Sequence, residues 1–237
     1  MAAACRFDFD QNFCFPIHEL ENERLRLTPF VPATHAAPFI EATQTHPDLY
    51  DHLPFGPFDS VTGFMRGLFE SRIQPGLGEV LFAVFDKTSK TSNEINGALA
   101  GIIGLLNTSP EHLSTEIGFI IIIPSFHRTH VTTNAVGLLQ SYCLELPPAG
   151  LGLRRVQWQT STKNEASIRV AQRMGFKLEG IKRWDRVMPE GRIGNGRALR
   201  EYDAKIERRG RDTTVLAICW DDWIVEKENV RYQMART

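Results

Sequence analysis

The feature that most constrains the fold is the segment from Ser114 to Gly180, where strand-like and helix-like patterns alternate. Ile117–Ile123 is almost entirely apolar, which is typical of a central strand buried on both faces. Apolar residues at helical spacing follow from Ala135, and Arg155–Thr160 then alternates as a second strand before a second helix. This order indicates an α/β or α+β sandwich, with helices on both faces of one sheet. It also presents a helix start and free backbone amides, which suit a phosphate-bearing cofactor.

The length of 237 residues is that of one large domain, or of one domain with extensions. Residues 1–22 lack a clear periodicity, so we expect an N-terminal extension there and a single domain over 23–237. Near its carboxyl end, Lys182–Arg211 holds ten Lys or Arg against five Asp or Glu. This predicts a basic insertion at about 186–212 that either recognises an acidic partner or RNA, or forms a solvated loop.

Charge and cysteine usage exclude several classes of protein. The net charge of −1 provides no overall field that would attract nucleic acid or a membrane, and no apolar run reaches membrane-spanning length. The four cysteines are scattered without a CxxC pair, which argues against a metal site or a disulfide framework. The first residues lack the order of a signal peptide. We therefore expect a soluble cytoplasmic protein without a metal.

Glu116 is the first candidate for chemistry, because it lies at the edge of the apolar strand. Alternation along a strand puts it on the same face as Gly118, Ile120 and Ile122. Loss of solvation there would raise the pKa of the carboxyl group and suit it to accept a proton from an ammonium group. The alternative is an exposed glutamate in a salt bridge at the end of the strand.

The turn after this strand is the second candidate. It reads His127-Arg-Thr-His-Val-Thr-Thr-Asn134 and precedes a helix, whose first amides are unpaired and favour anions. Its position after a buried strand favours a ligand site, since α/β sheets bind ligands at the carboxyl ends of strands. The alternative is a surface turn capped by Thr132 or Thr133.

The third candidate is Thr160–Asn164, which follows the second strand and would line the same crevice. Asn164 can hydrogen-bond an amide-containing ligand or simply cap the helix, and Thr162 with Glu165 fits a capping box. Several histidines are isolated and lack metal-ligand spacing, so we interpret them as structural. They are His18, His35, His46, His52 and His112.

These elements, in this order, resemble the GNAT superfamily of acetyl-coenzyme-A-dependent N-acetyltransferases, and more narrowly the branch of ribosomal-protein-alanine N-acetyltransferases. The resemblance covers about Glu23 to Trp223. It is strongest in four motifs: Glu116-Ile-Gly-Phe119, Thr129-His-Val-Thr-Thr-Asn-Ala135, Asn164-Glu-Ala-Ser167 and Met174-Gly-Phe-Lys-Leu-Glu-Gly180.

The resemblance implies a mixed, mostly antiparallel sheet of six or seven strands, splayed in the middle beside the strand that carries Glu116. It implies that acetyl-coenzyme A is the co-substrate, an amine is the acceptor, and Glu116 is the base. The pantetheine arm of acetyl-coenzyme A would bond to the backbone of Ile120, Ile121 and Ile122. The remaining residues implied at the cofactor are His127, Arg128, Thr129, His130, Val131, Thr132 and Thr133 at the turn, and Asn164 and Ser167 opposite.

Two positions depart from the family pattern. Glycines that let the backbone approach the pyrophosphate are replaced by His130 and Thr132, so their side chains either substitute for that contact or weaken binding. The tyrosine acid of many members is replaced by Ala171, for which Ser141, Tyr142 and Cys143 are weak substitutes.

The sequence thus favours an enzyme that moves an acetyl group from acetyl-coenzyme A to a primary amine by direct attack. The amine belongs to a protein or peptide N-terminus or to a small molecule. The alternative is a weak or inactive GNAT-fold protein that binds acyl-coenzyme A or a protein partner. An RNA-associated role of the basic segment is the third interpretation, and the oligomeric state stays open.

Overall fold

The computed structural model describes residues 11–89 and 97–236, which form one mixed sheet with helices on both faces. The strands are β1 (Leu20–Glu21), β2 (Leu25–Pro29), β3 (Val80–Asp86), β4 (Ala98–Ser109), β5 (Ser114–Ile122), β6 (Arg155–Ser161), β7 (Lys177–Val187) and β8 (Gly210–Cys219). The helices are α1 (Pro32–Thr43), α2 (Val61–Phe64, continued as a π-helix over Met65–Ile73), α3 (Val131–Leu144), α4 (Glu165–Arg173) and α5 (Trp220–Ala235). Among these helices, none combines the length and hydropathy that a bilayer crossing requires.

The sheet has the order β1-β2-β3-β4-β5-β6-β8-β7, and within residues 11–89 and 97–236 the one parallel pair is β5 with β6. The expected fold class, a mostly antiparallel sheet between helices, is confirmed. Eight strands are present within the described residues rather than six or seven. One of them, β1, is a two-residue strand that lies within the expected N-terminal extension and pairs with β2.

Strands β5 and β6 separate shortly after they meet. Their parallel pairing consists of Ser114 with Arg155, Thr115 with Val156, and Glu116 with Gln157. Beyond Glu116 the two strands diverge, and within the described residues their facing edges have no strand partner. The sheet is therefore splayed immediately after Glu116.

Two hydrophobic cores cover the two faces of the sheet. On one face Ile117 packs in the same cluster as residues of α3 and α4, such as Val131 and Ala171. On the other face Phe119 and Ile121 pack with aromatic residues of α1 and α2. Glu116 faces α1 and α2, because its neighbour Ile117 points to the opposite face. The expectation that Ile120 and Ile122 share the face of Glu116 is wrong, because an irregularity in the pairing with β4 after Gly118 shifts the alternation and puts Phe119 and Ile121 there instead.

The expected extension is in part integrated into the domain. Residues 1–10 lie outside the described part of the chain, but Gln11 exchanges three hydrogen bonds with the backbone of Phe30 and Leu81. At the other end, β7 continues to Val187 and β8 begins at Gly210, so the irregular connection is 188–209.

Candidate active site

A cleft of about 160 Å³ opens where β5 and β6 diverge. It reaches both faces of the sheet, because its lining comes from α3 and α4 on one face and from the loop after Tyr50 on the other. The lining residues are His52, Leu53, Ile117, Gly118, Phe119, Ile120, Thr132, Trp158, Gln159, Thr160, Asn164, Ser167, Val170 and Arg211.

Glu116 lies at the point of divergence and is only 6% exposed. Its Oε2 accepts hydrogen bonds from Asn107 Nδ2 at 3.0 Å and from Gln159 Nε2 at 2.7 Å. Asn107 reaches it because its backbone is left-handed (φ 52°) at an irregularity between β4 and β5. Both bonds end on the same oxygen, so the carboxylate is fixed in orientation while Oε1 takes part in neither.

The environment of Glu116 alters its protonation. Burial raises the pKa of this carboxyl group, and the hydrogen bonds from Asn107 and Gln159, together with the charges of Arg186 and Arg72, oppose that rise. The net shift is upward. A carboxylate with a raised pKa is a stronger base, which suits general-base chemistry toward an ammonium group.

A β-bulge shapes the β5 wall of the cleft. Between the pairs Ile102–Ile121 and Gly104–Gly118, β4 has one residue and β5 has two. One of these two, Phe119, has a left-handed φ of 53°. Such a bulge turns the backbone and re-aims its polar groups, and it lies in the stretch of β5 that has no partner on the β6 side.

The start of α3 provides free backbone donors beside the cleft. The amide of Val131 donates to Thr129 Oγ1 and that of Asn134 to the carbonyl of His130. The amides of Thr132 and Thr133 lie between them in the first turn, where a helix has no internal acceptor for them. Thr132 also lines the cleft.

The two histidines of the turn contact other residues of the protein, and His127 is nevertheless exposed. Nε2 of His127 lies 2.7 Å from the carbonyl oxygen of Ile122. Nε2 of His130 lies 3.2 Å from Oδ1 of Asp86, and the side chains of His130 and Asp86 are each under a tenth exposed. Neither imidazole lines the cleft, so the turn leaves room near the helix start without the family's glycines.

Asn164 and Ser167 lie on the opposite wall. Asn164 caps α4, since its Oδ1 accepts a hydrogen bond from the amide of Ser167. The hydroxyl of Ser167 accepts a bond from Nε1 of Trp158 at 2.9 Å. The predicted capping box of Thr162 and Glu165 is thus wrong, because the helix begins two residues later than that box requires.

The structure brings part of the predicted site together. Ile120, Thr132, Asn164 and Ser167 line the cleft itself. Ile121 and Ile122 point away into the two cores, although their backbone remains on β5. His127, Arg128 and Thr129 are exposed on the turn, with Arg128 at a left-handed φ of 62°.

The candidate acids on α3 do not meet the cleft. The hydroxyl of Tyr142 donates to the carbonyl of Pro16, and Cys143 is fully buried. Ser141 is absent from the lining as well. Ala171, at the position of the family's tyrosine, lies in the core and has no acidic group.

Four site residues were missed by sequence reasoning. Asn107 and Gln159 bond to Glu116, while His52 and Arg211 line the cleft; from the sequence, His52 is interpreted as structural. The sequence did contain a signal for Gln159. Alternation along β6 puts Gln159 on the same face as Gln157, which pairs with Glu116. His52 and Arg211 are distant in sequence, and only the tertiary fold brings them to the cleft.

Among the described residues, one group has the composition of a metal site: Cys219, Asp221 and Asp222 at the start of α5. It already has another role. Asp222 accepts a bond from the backbone amide of Cys219 and forms an ion pair with Lys177. The group is thus a helix cap with a salt bridge, far along the chain from Glu116.

The sequence matches the domain family described as "Acetyltransferase (GNAT) domain" over residues 24–177. The chain belongs to the GNAT acetyltransferase family. This family comprises acyltransferases, and the match covers β2 to the first residue of β7, which includes Glu116, the start of α3 and every lining residue of the cleft except Arg211.

Individual relatives agree with this membership. An uncharacterized N-acetyltransferase, YoaA of Bacillus subtilis (strain 168), is 35% identical over 85 residues, which are 36% of this chain and only 45% of that protein. A probable GNAT acetyltransferase from Chromobacterium violaceum is 25% identical, with a TM-score of 0.72 over 95% of this chain and 96% of that one. RimJ of Mycobacterium smegmatis, solved with CoA-disulfide, shares the fold at 16% identity and a TM-score of 0.63, over 91% and 92% of the chains.

Proposed function

We propose that this protein is an N-acetyltransferase that moves the acetyl group of acetyl-coenzyme A to a primary amine. The observation that carries the proposal is the position of Glu116, a buried carboxylate at the point where β5 and β6 diverge into the cleft. The cleft reaches both faces of the sheet, so a thioester and an amine can meet in it from opposite sides.

In the proposed reaction the amine attacks the carbonyl carbon of the thioester directly. Glu116 takes a proton from the ammonium group, and the free amine then forms the new C–N bond. The C–S bond breaks to release coenzyme A as a thiolate, which accepts the second proton that the acetylated nitrogen loses. The fixed carboxylate would act as a general base, and the unpartnered amides of β5 would orient and polarise the carbonyl.

The cofactor would be held mainly by backbone groups. The pyrophosphate would bind at the amides of Thr132 and Thr133, with the exposed Arg128 nearby, because a helix start attracts anions. The pantetheine arm would follow Ile120–Ile122, with Asn164 and Ser167 on the opposite wall. RimJ, which shares this fold, binds a coenzyme A derivative, and this supports the same class of co-substrate here.

A second candidate function is acyl-coenzyme A binding with little or no catalysis. It is favoured by one observation: the family's tyrosine position is the buried Ala171, and within residues 11–89 and 97–236 no tyrosine hydroxyl lines the cleft. A thiolate leaving group, however, has a lower requirement for an acid than an alkoxide. We therefore retain catalysis as the first proposal.

Two measurements separate these functions. Calorimetry with acetyl-coenzyme A tests binding, and release of free thiol in the presence of pooled primary amines and peptides tests transfer. Binding with amine-dependent thiol release supports the acetyltransferase. Binding without transfer to any amine supports the second function, and no binding at millimolar cofactor rejects both.

A further inference from the structure

The wall of the cleft on the α1/α2 face contains an arginine without a carboxylate partner. Arg211, near the start of β8, is 5% exposed and lines the cleft. Its Nε and Nη2 donate to the hydroxyl oxygen of Thr213 at 3.1 and 2.9 Å, and its Nη1 donates to the carbonyl of His52 at 3.1 Å. These acceptors are neutral, and no carboxylate of the described residues lies within salt-bridge distance of Arg211.

The charge near Arg211 is incompletely balanced. Burial and the neighbouring charge of Arg186 lower the pKa of its guanidinium, and the charges of Asp185 and Glu116 oppose this without cancelling it. The hydroxyl of Thr213 separates Arg211 from Asp185, since it accepts bonds from the guanidinium and donates to Asp185 Oδ2. A buried charge usually has a hydrogen-bonded counter-ion, so this wall is one where an anion would be stabilised.

His52, on the same wall, has an unused polar atom. Its Nδ1 is buried without a hydrogen-bond partner, while its backbone carbonyl accepts from Arg211. Burial lowers the pKa of its imidazole, which keeps the ring neutral and able to donate or accept a single hydrogen bond. A ligand oxygen at Arg211 would lie beside a second unsatisfied group.

A second buried guanidinium reinforces the positive character of this region. Arg192, in the 188–209 connection, is 9% exposed, and its Nε and Nη2 have no hydrogen-bond partner. Its Nη1 lies 3.9 Å from Oδ1 of Asp51, the residue before His52. The basic connection is thereby anchored against the loop that carries His52.

We propose that the acceptor is an amine that also carries a carboxylate, and that Arg211 and His52 bind this carboxylate while Glu116 receives the amine. The inference rests on the proposed acetyl transfer. A zwitterion matches a site with one buried carboxylate and one buried guanidinium, and the planar fork of arginine suits a carboxylate. A polyamine would instead place a further cation against Arg211.

The test uses the full-length protein and thiol release from acetyl-coenzyme A. One arm compares the common free amino acids with their carboxamides, and the other compares Ala-Asp-Ala with Ala-Asn-Ala, so that the α-carboxylate and a peptide side chain are distinguished as sources. The amine of each carboxamide is less basic than that of the free amino acid, so a larger fraction of it is unprotonated at a given pH. Ionisation of the amine therefore does not favour the acids. We expect a higher kcat/KM for the carboxylate member in at least one arm, and equal use in both arms would overturn the inference.

Variants then assign the preference to residues. Arg211→Gln is expected to lower the ratio of kcat/KM for carboxylate over amide acceptors by about 10- to 100-fold, the range for a charge-assisted hydrogen-bond pair. The matched control is Arg200→Gln, since Arg200 is 82% exposed in its side chain and pairs only with Asp203; it should keep the ratio. If Arg211→Gln does not fold, His52→Ala and Arg211→Lys replace it, and an unchanged ratio in both overturns the assignment.

A separate measurement distinguishes failure of this inference from failure of the proposed function. If acetyl-coenzyme A binds but no amine is acetylated, the transfer proposal fails. Thermal shifts of the coenzyme A-loaded protein with N-acetyl amino acids and their carboxamides then decide the anion site. Stabilisation by the acids alone, lost in Arg211→Gln, supports the site, and equal shifts reject it.

Discussion

The two ends of the cleft are built from different parts of the chain. The end next to α3 offers backbone groups, the amides of Thr132 and Thr133 and the unpaired edge of β5. The side chains of His127 and His130 contact Ile122 and Asp86 instead of lining the cleft. The end on the α1/α2 face offers polar and charged side chains, chiefly Arg211 and Gln159. Glu116 is not among the lining residues and adjoins this end through its hydrogen bond from Gln159.

This difference has consequences for how each end responds to substitution. A site made of backbone groups depends on the fold of the turn, so side chains can change as long as they leave the space open. A site made of buried charged side chains depends on their identity, because each is held by specific hydrogen bonds in a poorly solvated place. Substitutions at the two ends should therefore differ in their effects.

The largest expected effect is on turnover in Glu116→Gln. The glutamine is similar in size but cannot accept the proton, so we expect kcat to fall by about 10²–10⁴-fold, the range for general-base catalysis. The deficit should shrink as pH rises, since more of the amine is then already deprotonated. Steady-state kinetics across pH measure the fall in kcat and its pH dependence. Calorimetry measures the affinity for acetyl-coenzyme A, which should be nearly unchanged.

The control for this variant is Glu111→Gln, because Glu111 is exposed on the turn between β4 and β5. It should keep the wild-type rate. Full turnover of Glu116→Gln over the whole pH range would contradict the role of base and move that role to another group or to bulk water.

The next effect concerns the backbone end. Thr132→Pro removes one free amide in the first turn of α3, where proline is tolerated better than in a helix interior. Loss of a hydrogen bond to a charged group should weaken acetyl-coenzyme A binding by about tenfold or more. Thr132→Ala removes only the side chain and should bind nearly as wild type, so equal affinities of the two variants in calorimetry would show that this amide is not a phosphate ligand.

A smaller effect is expected from the hydrogen bond between Asn107 and Glu116. This bond favours the charged carboxylate, so Asn107→Ala should raise the pKa of Glu116 further. The base is active only when deprotonated. The acidic limb of kcat/KM against pH should therefore move upward, with little loss above that limb. An unmoved limb, with a uniformly lowered rate, would indicate a purely structural role for Asn107.

The fold was largely predictable because β5 and the segment after it carry strong local patterns. The uninterrupted apolar run before Ile123 and the helical spacing after Ala135 reflect burial, which local sequence records directly. The position of Glu116 at the edge of the run also followed from the sequence. The π-helical form of Met65–Ile73 has no such local pattern, and its buried residues Leu68, Phe69 and Ile73 pack in the aromatic core.

The acceptor side of the cleft was not predictable from the sequence. His52 and Arg211 are 159 residues apart and meet through a hydrogen bond that only the tertiary structure creates. The orientation of His130 was equally inaccessible, because its neighbour Asp86 comes from β3. Side chains that are placed by long-range contacts leave no periodic signal.

The smallest expected effect on the cofactor is that of His130→Ala, and it tests the contrast between the two ends most directly. The imidazole contacts Asp86 rather than lining the cleft, so its loss should leave acetyl-coenzyme A affinity close to that of wild type. The free energy of unfolding should fall by about 1 kcal/mol, since a buried polar contact is removed and the carboxylate of Asp86 keeps only its bonds from Thr88. Calorimetry and chemical denaturation measure the two quantities on the same preparation. A large loss of affinity with unchanged stability would mean that the histidine side chain replaces the family's glycine contact, and the cofactor end would then depend on side chains as the acceptor end does.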